Sequence, residues 1–173
     1  MNPSLSRAAR FAAVLGTLHA AHNLADHVVQ TDDMALRKAG HWSANLAHVG
    51  SYHVVQVAAL AVADRALGLG LRPGRTAAAV CFSAASHAFL DRRWPVRRAL
   101  ELIGARGFAS PRTVVYLSVD GLGRVVGDGH LTRGVPGDVE ASGPVPLHGP
   151  YLADQALHHA CLWLAALIMA GGR

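Results

Sequence analysis

The stretch HAAHNLADHVVQ, residues 19–30, decides how the rest of the chain is read. It sets His19, His22, Asp26 and Gln30 at steps of three and four along an otherwise largely apolar run. On an α-helix such residues lie on one face about a turn apart. An imidazole and a carboxylate are then presented to a common point. The same i, i+4 spacing recurs in His87 with Asp91 and in Asp154 with His158, and His48 with His53 adds a further histidine cluster.

Hydrophobic periodicity around these pairs predicts an all-α chain with four main helices, over about residues 6–30, 43–68, 76–91 and 150–170. Short connections favour helices that alternate in direction. The C-terminal ends of the first and third then meet the N-terminal ends of the second and fourth, which gathers every His/Asp pair at one end of one antiparallel bundle. Between the main helices, Thr31, Asp32 and Asp33 read as the cap of a short turn ending near Lys38 and Gly40. Trp94 and Pro95 break the third helix, and Val96 to Ile103 reads as a short amphipathic helix. Residues 113–126 read as another short helix, and the Gly/Pro density at about 127–150 as a loop. The 173 residues form a single domain on this reading.

The composition is 51% hydrophobic, 6% aromatic and only 16% charged, against a typical charged share of about 25%. It points to a membrane protein or a tightly packed helical one. Residues 8–30 and 152–170 are long enough to cross a bilayer, which takes about 20 apolar residues, although each carries histidine and an acidic group. Ionisable groups within spans face a bundle interior and mark function, so a membrane-embedded, polar-cored bundle fits this pattern. Arg7 and Arg10 before an apolar run resemble a signal peptide, but the run continues into His19, His22 and Asp26 without a cleavage site and reads as a retained helix. Sixteen basic residues, fifteen of them arginine, stand against eleven acidic ones. Arg92, Arg93, Arg97 and Arg98 cluster at the end of the third helix, which by the positive-inside rule puts the His/Asp end on the cytoplasmic side, against an opposing count from Arg7, Arg10, Arg65, Arg72 and Arg75. No aromatic interleaving or recognition helix accompanies them, so a nucleic-acid-binding regulator ranks last among the readings. Cys81 and Cys161 read as buried small hydrophobes without a disulfide framework.

Buried ionisable groups must be paired or metal-bound to offset desolvation, so convergent His/Asp pairs imply a metal centre. The candidate ligands are His22, Asp26, His48, His87, Asp91, Asp154 and His158. Of the adjacent His158 and His159, the i+4 relation to Asp154 selects His158. Gln30, Gln155, His53 and His19 are placed to orient those ligands. Imidazole and carboxylate donors suit a divalent transition ion, Zn first, with Mn or Fe as alternatives, and the donor count allows one or two ions. Such a centre suits hydrolysis of a phosphoester or ester, with Asp26, Asp91 or Asp154 as the base for water. The rival reading is a non-catalytic membrane or regulatory protein whose His/Asp pairs form a proton-sensitive polar network. Gly121, Gly123 and Gly127 lack the dinucleotide-binding spacing, and Ser86 beside His87 lacks a nucleophile elbow.

The string His22-Asn-Leu-Ala-Asp26-His-Val-Val-Gln30-Thr31, followed by Met34 and Lys38, resembles the opening motif of the domain-of-unknown-function 3307 family. His48, the Ser86–Asp91 segment and Asp154-Gln155-Ala-Leu-His158 resemble its remaining blocks. The likeness covers residues 15–60, 80–93 and 150–165, and departs from the family pattern at Arg92-Arg93 and in the Gly/Pro insert. It implies a small helical protein embedded in a bacterial cell membrane. The family's His/Asp layout is similar to that of membrane-bound metal-dependent hydrolases, which implies a lipid bilayer as partner and a lipid or phosphoester as substrate.

Overall fold

The computed structural model describes residues 5–105 and 149–171. It is a helical bundle, with no strand among the described residues. Its helices are α1 (Arg7–Leu24), α2 (Asp32–Arg37), α3 (Trp42–Leu67), α4 (Pro73–Leu90), α5 (Trp94–Leu102) and α6 (Gly149–Ala170), with a π-helical turn over Ala25–Val29. The helix expected over 113–126 and most of the loop expected at 127–150 lie outside the described residues, while Gly149 and Pro150 already open α6.

Local chemistry sets the boundaries. Ser6 Oγ accepts from Ala9 N at 3.1 Å to cap α1, and Thr31 Oγ1 accepts from Met34 N at 3.3 Å to cap α2. Gly68 ends α3 at φ +61°, the left-handed conformation that costs glycine least. Pro73 and Pro95 sit in the first turns of α4 and α5, where no backbone donor is lost. The third main helix therefore starts three residues earlier than its periodicity predicts.

The helix expected over residues 6–30 changes character before its end. Its last five helical residues widen into a π turn, closed by Gln30 N donating to Ala25 O at 3.0 Å. Single π turns inside α-helices recur at functional sites.

One end of the bundle is dry. Val14 and Leu18 of α1, Leu60 of α3, Ala79 of α4, and Leu162, Ala165, Ala166 and Met169 of α6 form an apolar cluster. Ala79, Ala165 and Ala166 are at most 1% exposed, and their small side chains let α4 and α6 approach closely. A smaller apolar cluster of Leu90, Val96 and Leu100 packs α5 against Leu157 of α6. Along α1 and α4 the apolar residues precede the buried polar ones; along α3 and α6 the order is reversed. The cysteines depart from expectation: Cys81 is exposed on α4, between the buried Ala79 and Ser83, and Cys161 is half-buried.

Candidate metal centre

Four side chains that are almost fully enclosed meet beyond the apolar cluster: Asp26 of the π turn, His48 of α3, and His87 and Asp91 at the end of α4. His48 Nε2 and His87 Nε2 lie 3.0 Å apart. His48 Nε2 is 3.2 Å from Asp26 Oδ1 and 3.3 Å from Asp91 Oδ2. His87 Nε2 is 3.6 Å and 3.2 Å from the same two oxygens. Donors placed tetrahedrally around an ion at bond lengths of about 2.0–2.1 Å are about 3.3–3.4 Å apart. The five separations that involve a histidine nitrogen thus bracket the value a tetrahedral ion requires. Asp26 Oδ1 and Asp91 Oδ2 are also enclosed without a hydrogen bond, a costly arrangement for carboxylate oxygens that a cation would resolve.

The surrounding contacts separate donors from supports. His22 lies 3.6 Å from Asp26 Oδ2 through Nδ1, but that nitrogen has a nearer partner in the Tyr52 hydroxyl at 3.0 Å. Gln56 Nε2 donates to the same hydroxyl at 2.8 Å, so the Tyr52 proton is directed to His22 Nδ1. His22 Nε2 in turn donates to Gln155 Oε1 at 3.0 Å, an atom that can only accept. His158 Nδ1 donates to the backbone carbonyl of Asp154 at 2.9 Å, which leaves its Nε2 as a lone pair. That Nε2 is enclosed, without a hydrogen bond, and 3.9 Å from Asp91 Oδ1. Lys38, just past α2, donates to Asp91 Oδ1 at 2.9 Å and faces His48 Nε2 at 3.2 Å.

These neighbours set the protonation states. Burial pushes the Asp26 and Asp91 carboxyls up, but the adjacent His48 and His87 imidazoles and the Lys38 ammonium outweigh it and hold both well below the usual carboxylate range. Burial lowers His22 and His87 to about 4, against smaller opposing pulls from Asp26 and Asp91 respectively. Asp26 and Asp91 are therefore ionised and His22 and His87 neutral at ordinary pH, the forms in which carboxylates and imidazoles bind metal.

Of the seven ligands expected from sequence, the structure gathers His48, His87 and Asp91, their ligand atoms within 4.8 Å of one another, with Asp26 Oδ1 3.2 Å from His48 Nε2. His22 also groups with Asp26 and His87, their ligand atoms lying within 4.8 Å of one another. His158 borders Asp91. Asp154 reaches His158 Nδ1 at 3.6 Å and Gln155 Nε2 at 3.5 Å. Among the expected supports, Gln155 holds His22, while Gln30 donates to the Asp26 carbonyl at 3.3 Å. His53 turns to Ser83 Oγ at 3.2 Å, because five residues beyond His48 is a different helix face. His19 packs on the His159 ring, with centroids 4.4 Å apart.

Sequence reasoning passed over Tyr52, Gln56, Asn45 and Lys38 as site residues. The first three lie with His48 on one seam of α3, at steps of three and four along a mainly apolar helix, and that polar periodicity was the available signal. Lys38 carried no such signal, since it stands outside the long helices. No family model matches the chain, and neither a curated protein nor a solved structure is similar to it. The resemblance to the 3307 family rests on the residues quoted for it.

Proposed function

We propose that this chain is a membrane-seated metalloprotein in which Asp26, His48, His87 and Asp91 hold one divalent transition ion, Zn first, for hydrolysis of an ester or phosphoester. The observation that carries this reading is the convergence of four enclosed side chains, whose five separations involving a histidine nitrogen run from 3.0 to 3.6 Å. A bound ion of this class supplies Lewis acidity towards a carbonyl or phosphoryl oxygen and towards water. Asp154, whose side chain is 23% exposed beside the buried His158, is the carboxylate with solvent access and suits the role of base. A single ion is favoured over two, because Tyr52 occupies the His22 nitrogen that a second would need. The blocks that carry the family resemblance contain all four donors.

Two features support the membrane. α3 over Trp42–Leu67 and α6 over Pro150–Ala170 are long and apolar enough to cross a bilayer, and only 33% and 28% of their most apolar windows is buried in the bundle. A core helix of a soluble protein would bury most of its apolar face. Instead Leu46, Val54, Val57, Val62, Trp163 and Leu164 point outward. The alternating order of apolar and polar residues supports an antiparallel arrangement of α1, α3, α4 and α6. The arginines at positions 92, 93, 97 and 98 favour the cytoplasmic side for the metal end.

Elemental analysis of chelator-free protein tests the centre. About one transition ion per chain, lost in the His87→Ala variant, is expected; no ion as purified and none gained on titration sinks the reading. The second reading, a metal-free polar network that fixes helix register, is favoured by Lys38, which already supplies a cation to Asp91. It predicts that His87→Ala loses stability without any ion to lose.

A further inference from the structure

We propose that the Lys38 ammonium is a tethered stand-in for the divalent ion, balancing the empty donor set and leaving His48 Nε2 when an ion binds. This rests on the metal reading above. Lys38 Nζ lies 2.9 Å from Asp91 Oδ1 and 3.2 Å from His48 Nε2. When His48 carries its proton on Nδ1, its Nε2 lone pair faces this ammonium, which is a donor only. That lone pair is the one an ion would take. Ammonium and metal therefore compete for a single atom, while the contact to Asp91 Oδ1 survives loading, since Asp91 meets His48 and His87 through its other oxygen.

Residue choice supports the assignment. Lys38 is the only lysine in a chain with fifteen arginines. An ammonium is a compact point charge on a flexible stem, whereas a guanidinium is a wide planar fork; only the former takes a place shaped for a spherical cation. Its side chain is 12% exposed, so this charge is held largely out of water. Its backbone is clamped: the Lys38 carbonyl accepts from Asn45 Nδ2 and from an Arg92 guanidinium nitrogen, each at 3.4 Å. Arg92 also reaches the Gly40 carbonyl at 3.5 Å and stacks on Trp42, 4.6 Å from the ring centroid. Arg93 donates to the Ala35 carbonyl at 3.2 Å. The segment carrying Lys38 is thus fastened from the α4–α5 turn, which leaves the four-carbon stem to move. Loading becomes an exchange of one cation for another, and the buried carboxylates never face each other uncompensated.

The test is a Zn²⁺ competition titration against a chromophoric chelator, on the full chain in detergent, comparing wild type with Lys38→Met and Lys38→Gln. Both variants remove the competing charge, and both are expected to bind Zn²⁺ at least tenfold more tightly than wild type. Unchanged or weaker binding by the two variants, while wild type binds, overturns this proposal alone. Weakening in Lys38→Met that Lys38→Gln restores likewise overturns it, marking Lys38 as a hydrogen-bonding support for Asp91. If neither wild type nor variants bind, the metal reading falls and this inference with it. A Lys38→Met protein that folds only when Zn²⁺ is supplied supports the stand-in role; one that fails to fold even then refutes it.

Discussion

Asp91→Asn is the sharpest single perturbation of this centre, because the amide has the size of the carboxylate and changes only charge and donor quality. Asp91 is 2% exposed. One oxygen accepts from Lys38 at 2.9 Å, and the other lies 3.2 Å from His87 Nε2 and 3.3 Å from His48 Nε2. Removing one partner of a buried ion pair costs about 3–5 kcal/mol, since the remaining charge is left uncompensated. Lys38 retains some access to water, so the lower end, about 3 kcal/mol, is expected for the ion-free protein. Ion binding should suffer separately. Altering a group that merely orients a ligand costs about 10–100-fold in affinity, and neutralising a ligand should cost at least the upper figure, about 100-fold. Denaturant unfolding of ion-free protein in micelles measures the first effect, and Zn²⁺ competition titration the second. A stability change within about 1 kcal/mol together with unaltered Zn²⁺ affinity would refute the reasoning, because Asp91 would then be neither the partner of Lys38 nor a ligand.

Tyr52→Phe leaves His22 Nδ1 and Gln56 without their shared hydroxyl; a loss of about 1–3 kcal/mol is expected, with metal content retained, as unfolding and elemental analysis can show. With His22 and His87 lowered to about 4, the unfolded chain binds protons near pH 6.5 that the folded chain refuses. Ion-free protein should lose stability as pH falls from about 6.5 to 4, by up to about 1.4 kcal/mol per unit for each histidine. Asp26 and Asp91, held low, add their own loss only below about pH 4, so a flat unfolding profile between about pH 6 and 4.5 counts against neutral His22 and His87. Val54→Asp places a carboxylate at the middle of α3 on a residue that is 70% exposed. In a bilayer this costs about 2.5–3.5 kcal/mol and should release protein into the supernatant of an alkaline carbonate wash. At a water-facing position it would change stability by no more than about 0.5 kcal/mol and leave fractionation unaltered.

Much of the helical layout was legible because its signals are local. Apolar periodicity located the long helices within a few residues, and Trp94 and Pro95 marked the break after the third of them. The π turn was not legible: His22 and Asp26 keep the spacing of an ordinary helical pair, and nothing in ADHVV announces a widened turn. Its effect is large, because Asp26 Oδ1 ends 3.2 Å from His48 across the bundle while Asp26 Oδ2 stays 3.6 Å from His22. A partner chosen from sequence spacing was thus displaced by one from another helix.

By itself the sequence determined which residues share a helix face, since 3.6 residues per turn fixes that whatever the helix packs against. It singled out His87 with Asp91, and Asp26 and His48 as candidates, and it marked the chain as helical and poor in charged residues. Which donors point at one another was decided only by tertiary structure. That choice depends on the rotation and separation of the helices, which the apolar cluster shared by α1, α3, α4 and α6 holds together. Tertiary structure likewise joins His22 to Tyr52 and Gln155, His53 to Ser83, and Lys38, distant in sequence from Asp91, to its carboxylate. Contacts between remote segments carry no periodicity of their own, and only the folded bundle reveals them.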